Sequence, residues 1–119
     1  MFLFGGSGED EDVWNTAEVF NTTTLEWTLL KKRMRKHRCN TAAALLNDTT
    51  IVICGGEDEN QKDVKTCESF DIESMMFGSF PSMMHARSGH AVVQYNGTII
   101  ALGIFLINNI NIYIIYYSL

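Results

Sequence analysis

The chain has 119 residues, of which 46% are hydrophobic and 19% are charged, and its formal net charge is −5. This size and composition suit one domain with a buried core and differ from those of a disordered chain. Because 14 acidic residues outnumber nine basic ones, the charge balance argues against general nucleic-acid binding, which needs a basic surface.

The residues that most often carry chemistry form no recognisable site pattern. Cys39, Cys54 and Cys67 are odd in number and lack zinc-ligand spacing, so we expect free thiols in a reducing compartment. The histidines do not combine with cysteines or carboxylates at metal-ligand spacing, and no phosphate-binding loop or nucleophile motif occurs. The sequence therefore predicts a chain that is not an enzyme and that binds no metal and no cofactor. The apolar stretch 1–4 is too short for an export signal, and we expect a cytoplasmic location, with the nucleus as the alternative.

An internal repeat at an offset of 48–50 residues organises the chain. Three apolar runs end in glycine, a glutamate follows the first two runs at matching positions, and an aromatic residue comes nine positions after each glutamate. A Met-x-x-x-Arg segment then leads into the next unit. The repeat signature consists of Gly5, Gly6, Glu18, Trp27, Gly55, Gly56, Glu68, Phe77 and Gly103, with Met34 and Arg38 matching Met83 and Arg87.

Each unit is predicted to form four short β-strands, which the second unit shows most clearly. In chain order we expect a strand over 39–46, a turn at 47–48, a strand over 50–54, a polar loop over 57–65 and strands near 66–70 and 75–80. The third unit repeats the first hairpin over 89–102 around Asn96-Gly97, a strong signal for a tight turn. Because no stretch has a sustained helical period, the sequence predicts an all-β chain.

The signature residues have physical roles in such a fold. Two consecutive glycines permit positive φ angles and close approach of a neighbouring backbone. Trp27 and Phe77 are placed where one sheet would cover the next. Arg38 and Arg87 stand at the start of a strand, where each either bonds backbone carbonyls or faces a ligand.

This ordered set of residues resembles the kelch repeat, and the segment 67–89 is most similar to repeats of BTB-kelch proteins. The resemblance covers 1–103 and implies an incomplete kelch β-propeller with one full four-stranded blade (37–80) and two partial blades (1–30 and 87–103). The chain departs from the family pattern at Phe77, at Phe20 and Phe70, and at Ile104, which replaces a glycine. A closed propeller needs about 4–8 blades, so self-association is one way in which the chain could cover its open edges.

The segment 104–119 has a different composition, rich in isoleucine, asparagine and tyrosine. Three interpretations are open: translated non-coding sequence, a terminal strand, or a membrane segment. Asparagines within the segment and the lack of a basic cluster after it argue against the membrane.

Charged residues concentrate in a few loops. Six of the nine basic residues lie between Lys31 and Arg38, either as a nuclear-import or anion-binding patch or as a solvated loop between blades. Acidic clusters at 9–12 and 57–59 follow the glycine pairs. In a four-stranded meander these loops emerge at the same end, so we expect them to share one face.

The resemblance implies recognition of a partner protein through this face, with Arg38, Arg87 and Ser88 as candidate contacts. It further implies a parent that recruits substrates to a cullin–RING ubiquitin ligase, whose other components would bind regions absent here. An actin-binding cytoskeletal protein and a truncated gene product without function are the alternatives.

Overall fold

The computed structural model describes residues 1–10, 12–107 and 110–118, and side chains only up to Gly103. The described chain consists of ten antiparallel strands joined by turns and loops, which confirms the all-β prediction. The strands are β1 (Phe2–Phe4), β2 (Ala17–Asn21), β3 (Glu26–Leu29), β4 (Ala42–Asn47), β5 (Thr50–Cys54), β6 (Cys67–Asp71), β7 (Met76–Phe80), β8 (Ala91–Tyr95), β9 (Thr98–Ile107) and β10 (Ile110–Ser118).

The strands form three antiparallel sheets in which strands adjacent in sequence are neighbours. The first sheet has the order β1-β2-β3, the second has β4-β5-β6-β7, and the third has β8-β9-β10. The second sheet is thus a complete four-stranded blade, and we call it the central blade. The first and third sheets flank it.

Local chemistry explains the hairpins of the central blade. β5 has the sequence TIVIC, and its β-branched residues favour a strand that is buried on both faces. Before it, the Asn47 side chain accepts hydrogen bonds from the Thr49 and Thr50 backbone N–H groups at 3.0 and 2.9 Å, which closes the turn from β4. In the third sheet, Asn96 and Gly97 both have positive φ angles of 48° and 75°, as a two-residue hairpin turn requires.

The first strand of the central blade begins three residues later than predicted. β4 starts at Ala42 and not at Cys39, because Asn40 has a φ of +49° and the backbone there leaves the sheet direction. Cys39 instead exchanges backbone hydrogen bonds with Glu57 at 2.9 and 3.0 Å. These bonds fasten the blade entrance to the acidic loop that follows β5.

Two apolar cores hold the three sheets face to face. Towards the first sheet, Phe70 packs edge-on against Phe2 and Phe4, each with ring centroids 5.3 Å apart, and Phe77 lies 6.1 Å from Phe4. Towards the third sheet, a second cluster of buried residues comprises Val52, Cys54, Cys67, Met83, Ile99 and Ala101. The alternation of side chains along β5 supplies both cores, since Ile53 joins the first cluster and Val52 the second.

The two signature aromatic residues have different surroundings. Phe77 lies between sheets, as predicted, in the core shared with the first sheet. Trp27 packs against Phe20 with ring centroids 5.0 Å apart and the rings tilted by 44°, but remains 48% exposed. It lies on the face of the first sheet away from the central blade, which no described residue covers, so the placement of Trp27 beneath another sheet stays a prediction.

The third sheet extends into the segment 104–119. The backbone of β9 continues through Gly103 to Ile107 and pairs with β10, with Ile114 opposite Gly103. The backbone at 104–107 and 110–118 is extended, as in the terminal-strand interpretation of this segment. Residues 108, 109 and 119 lie outside the described part. Among the described residues, no helix is long and apolar enough to cross a membrane.

Candidate functional site

The glycine pairs hold the backbone of the arginine that begins the next unit. The Gly6 N–H donates to the Arg38 carbonyl at 3.0 Å, and the Gly56 N–H donates to the Arg87 carbonyl at 2.9 Å. The first glycine of each pair has a positive φ, and a Cβ added at Gly55 would lie 2.5 Å from the Arg87 carbonyl oxygen. The repeat therefore places both arginines by the same backbone bonds, at the junction between neighbouring sheets.

Arg38 is a buried residue of the central blade and does not face the solvent. Its exposure is 0%, and its Nη1 donates to the carbonyls of Gly55 at 2.7 Å and Thr66 at 2.9 Å. Its Nη2 lies 2.9 Å from Glu68 Oε2 in an ion pair closed to water. Arg38 therefore bonds backbone carbonyls, which was one of its two predicted roles. The other prediction, that Arg38 contacts a partner, is wrong because its guanidinium has no exposed surface.

Glu68 completes this junction from β6. Its carboxylate, in a residue only 3% exposed, also accepts the backbone N–H of Arg35 at 2.7 Å. The Glu68 carboxylate thus holds the segment that enters the blade at two points, the Arg35 main chain and the Arg38 side chain. Sequence reasoning identified Arg38 and Glu68 as signature residues but did not pair them, although their positions in the repeat were the signal that could have linked them.

Arg87 occupies the corresponding position beside the third sheet. A Cβ added at Gly103 would lie 3.3 Å from Arg87 Nη1, so the guanidinium passes close to this glycine. Both Arg87 and its neighbour Ser88 are half-buried. Their proposed contact with a partner stays a prediction.

The charged loops meet in a groove beside the junction. A cavity of about 330 Å³ is lined by Asp12, Val13 and Trp14 of the first acidic loop, by His37 and by Glu59 of the second acidic loop. His37 Nδ1 lies 3.0 Å from Glu59 Oε2, so the basic segment and the second loop touch directly. Trp14 is 47% exposed, and its ring lies so close to Gly8 that a Cβ there would be 2.9 Å from it.

A second cavity of about 240 Å³ adjoins the first and carries both signs of charge. Its walls include Arg35 and Lys36 on one side and Asp58 and Glu59 on the other. The backbone N–H groups of Lys62 and Asn60 donate to the Asp58 carboxylate and hold its pKa below the ordinary value. We call the two cavities together the loop groove.

The described residues contain no group of three or more histidine, cysteine or acidic side chains that could hold a metal ion. The loop groove instead combines carboxylates, cationic side chains and one exposed indole. Such an arrangement can bind a charged segment by complementary contacts.

Comparison with known proteins gives three similar chains, while no family model matches. The chain is 28% identical to the kelch repeat-containing protein kel-10 of Caenorhabditis elegans over 115 residues, which are 93% of this chain and 19% of the relative. It is 29% identical to a kelch repeat and BTB domain-containing protein of the same organism, with the same coverage. It is 30% identical to alpha-scruin of Limulus polyphemus over 109 residues, which are 87% of this chain and 12% of the relative.

The chain combines a repeat built on glycine pairs with a four-stranded antiparallel blade and two flanking sheets stacked face to face. Two of the three similar proteins are named for kelch repeats, and the all-β chain of stacked antiparallel sheets is consistent with part of a kelch β-propeller. It spans about a fifth or less of the length of the relatives that it matches.

Proposed function

We propose that this chain is a non-enzymatic recognition module that binds an extended, charged segment of a partner protein in the loop groove. The observation that carries the proposal is the meeting of Trp14, two acidic loops and the basic segment in adjoining cavities. Loops on a rigid β-scaffold are a common place for binding sites. The family relationship supports protein interaction in general.

The geometry indicates which side chains the partner segment should bring. Trp14 is exposed, and the carboxylates of Asp12 and Glu59 line the same cavity. A partner lysine or arginine can stack on the indole and pair with a carboxylate, which adds cation–π and charge-assisted contacts. A partner aspartate or glutamate a few residues away then meets Arg35 and Lys36.

A fluorescence titration tests this proposal. In a Trp27→Phe background Trp14 is the remaining tryptophan, so its emission reports binding at the groove. We expect peptides of alternating arginine and glutamate to change this emission, and wholly acidic peptides of the same length to leave it unchanged. Glu59→Gln should weaken the binding by up to about fivefold, as loss of an exposed charge contact of about 1 kcal/mol at most implies. Glu26→Gln on exposed β3 is the control; equal effects of both variants would contradict the site.

For the parent protein we propose recruitment of substrates to a cullin–RING ubiquitin ligase in the cytoplasm. The similarity to a relative named for its BTB domain supports this role, and the actin-binding alternative draws on the same family relationship. Co-precipitation of the parent with a cullin supports the adaptor, whereas co-sedimentation with actin filaments supports the alternative.

We also propose that the isolated chain self-associates through its uncovered sheet faces, with a second copy as the occupant. The first sheet presents Leu3 and Trp27, whose counterparts Ile53 and Phe77 lie in the core between sheets. The third sheet presents Val93 and Tyr95 on the side away from the central blade. A head-to-tail contact between two copies would bury both faces in the way that the sheets already stack within one chain.

A further inference from the structure

Two cysteines stand directly opposite each other inside the central blade. Cys54 is the last residue of β5 and Cys67 is the first residue of β6, and the strand register makes them cross-strand partners. Both are free thiols, and they are only 1% and 5% exposed. No part of the proposed recognition function uses this pair.

The hydrogen-bond pattern shows that the two cysteines form the more closely spaced of the two kinds of cross-strand pair. The Gly55 N–H donates to the Thr66 carbonyl at 3.1 Å, so the adjacent opposite pair, Gly55 and Thr66, is a hydrogen-bonded one. Because the two kinds of pair alternate along antiparallel strands, Cys54 and Cys67 form a non-hydrogen-bonded pair. Such pairs have Cα atoms about 4.5 Å apart, and a disulfide spans Cα distances of about 4.4–6.8 Å.

The surroundings make the two thiols unequal. A hydrogen bond from Cys54 is the largest influence on Cys67 and lowers its pKa; burial opposes it, while the backbone at Met83 and Gly55 and the charge of Arg38 lower the pKa further. The same hydrogen bond and burial raise the pKa of Cys54. Cys67 is therefore the better nucleophile, and Cys54 is placed to react with it second.

We propose that Cys54 and Cys67 are a redox modification site at which a small hydroperoxide forms a cross-strand disulfide. The Cys67 thiolate attacks the peroxide oxygen, the O–O bond breaks, and a sulfenic acid and a hydroxide result. The Cys54 sulfur then attacks the Cys67 sulfur, the S–O bond breaks, and water leaves with the Cys54 proton. Two thiols lose two electrons in total, and one hydrogen peroxide is reduced to two waters.

Peptide mapping of the full chain tests the proposal. Trypsin cleaves after Lys62 and Lys65 and so separates the two cysteines into the peptides 39–62 and 66–87. In a Cys39→Ser background, where the pair holds the only thiols, we expect hydrogen peroxide treatment of the native chain to join these two peptides. A reducing agent should separate them again. Loss of both thiols without joined peptides, or no loss of thiols, overturns the proposal.

Two further measurements distinguish a disulfide that fits the blade from one formed in an unfolded chain. The oxidised chain should unfold at a higher urea concentration than the reduced chain, because a bond in the native register restricts only the unfolded state. A lower midpoint overturns the proposal.

The order of the two steps is tested with single serine variants. In Cys54→Ser we expect the peroxide to leave Cys67 as a sulfenic acid, which dimedone traps. Cys67→Ser should give much less dimedone adduct at Cys54, and equal adducts in both variants overturn the assigned order.

Discussion

At the scale of single residues, the junction between units rests on one buried ion pair. Arg38 and Glu68 are removed from water, and their charges are matched by each other and by the backbone of Gly55, Thr66 and Arg35. Removing one charge of such a pair leaves the other buried without compensation. This explains why both residues stand in the repeat signature without reaching a partner.

We expect Glu68→Gln to destabilise the chain by about 3–5 kcal/mol, because the Arg38 charge would remain buried and unneutralised. Urea unfolding followed by tryptophan fluorescence measures the change in the free energy of unfolding. His37→Ala is the matched control, since it removes a neighbouring but solvent-accessible side-chain contact with Glu59, worth about 1 kcal/mol at most. A Glu68→Gln chain as stable as the control would show that the buried pair contributes nothing.

A second residue-scale prediction concerns the close approach at Gly55. Gly55 and Gly89 have similar φ angles of +62° and +58°, but only Gly55 has a neighbouring backbone in the space of a Cβ. Gly89→Ala should cost about 1–2 kcal/mol from backbone strain alone. Gly55→Ala should cost at least twice as much, because the Arg87 carbonyl must move, and thermal unfolding of both variants measures the difference. Equal losses would mean that the junction yields to the added methyl group.

At the scale of elements, the stacking of the third sheet on the central blade involves a half-buried histidine. His90 precedes β8 and lies next to Gly55 and Gly103. Within the described residues its two ring nitrogens have no hydrogen-bond partner. Burial lowers the pKa of His90, the charge of Arg87 lowers it further, and Asp63 opposes both. The neutral imidazole is thus the form that fits this contact.

The pH dependence of stability should reveal this contact. Because the pKa of His90 is lower in the folded chain than in the unfolded chain, the unfolded state takes up the proton first as the pH falls. The contribution of His90 is therefore fully present above about pH 6.5 and is lost as the pH falls towards its folded pKa. Urea midpoints between about pH 7.5 and pH 5 should fall less steeply in His90→Gln than in the natural chain.

His85→Gln is the control for this experiment, since His85 lies on the same connecting segment but is exposed. It should keep the pH dependence of the natural chain. If His90→Gln retains the full slope, the loss of stability comes from other groups and the half-buried imidazole is not its source.

At the scale of the whole molecule, the three sheets form an open stack. The central blade is covered on both faces, and its residues Ile53, Val52 and Phe70 have no exposed surface. Among the side chains that the structure describes, those of the flanking sheets are covered on one face only, and apolar side chains remain exposed on the other. An uncovered apolar sheet face favours association with a further sheet.

Sedimentation velocity over a range of concentrations tests the proposed self-association. Trp14 and Trp27 are almost equally exposed, at 47% and 48%, but Trp14 lines the loop groove and Trp27 lies on the uncovered face of the first sheet. We expect Trp27→Asp to abolish the rise of the sedimentation coefficient with concentration and Trp14→Asp to leave it unchanged. A rise that survives in Trp27→Asp would place the contact elsewhere.

Much of the architecture could be read from the sequence because it depends on local chemistry repeated along the chain. The glycine pairs, the Asn-Gly turn and the β-branched runs specify strands and turns by backbone preference alone, and a repeat at about 50 residues multiplies that signal. The strand limits were less accurate where a single residue departs from the sheet, as Asn40 does at the entrance of β4.

The sequence by itself therefore determined the class of fold, the positions of the turns and the set of signature residues. Only the tertiary structure decided what those residues do: that Arg38 is buried on Glu68, that Trp27 is uncovered while Phe77 is not, and that Cys54 faces Cys67. The physical reason is that turns and strand propensity act over a few residues along the chain. Burial and ion pairing depend instead on which distant segments come together: the ion pair joins Arg38 to Glu68, and the first core joins Phe2 and Phe4 to Phe70.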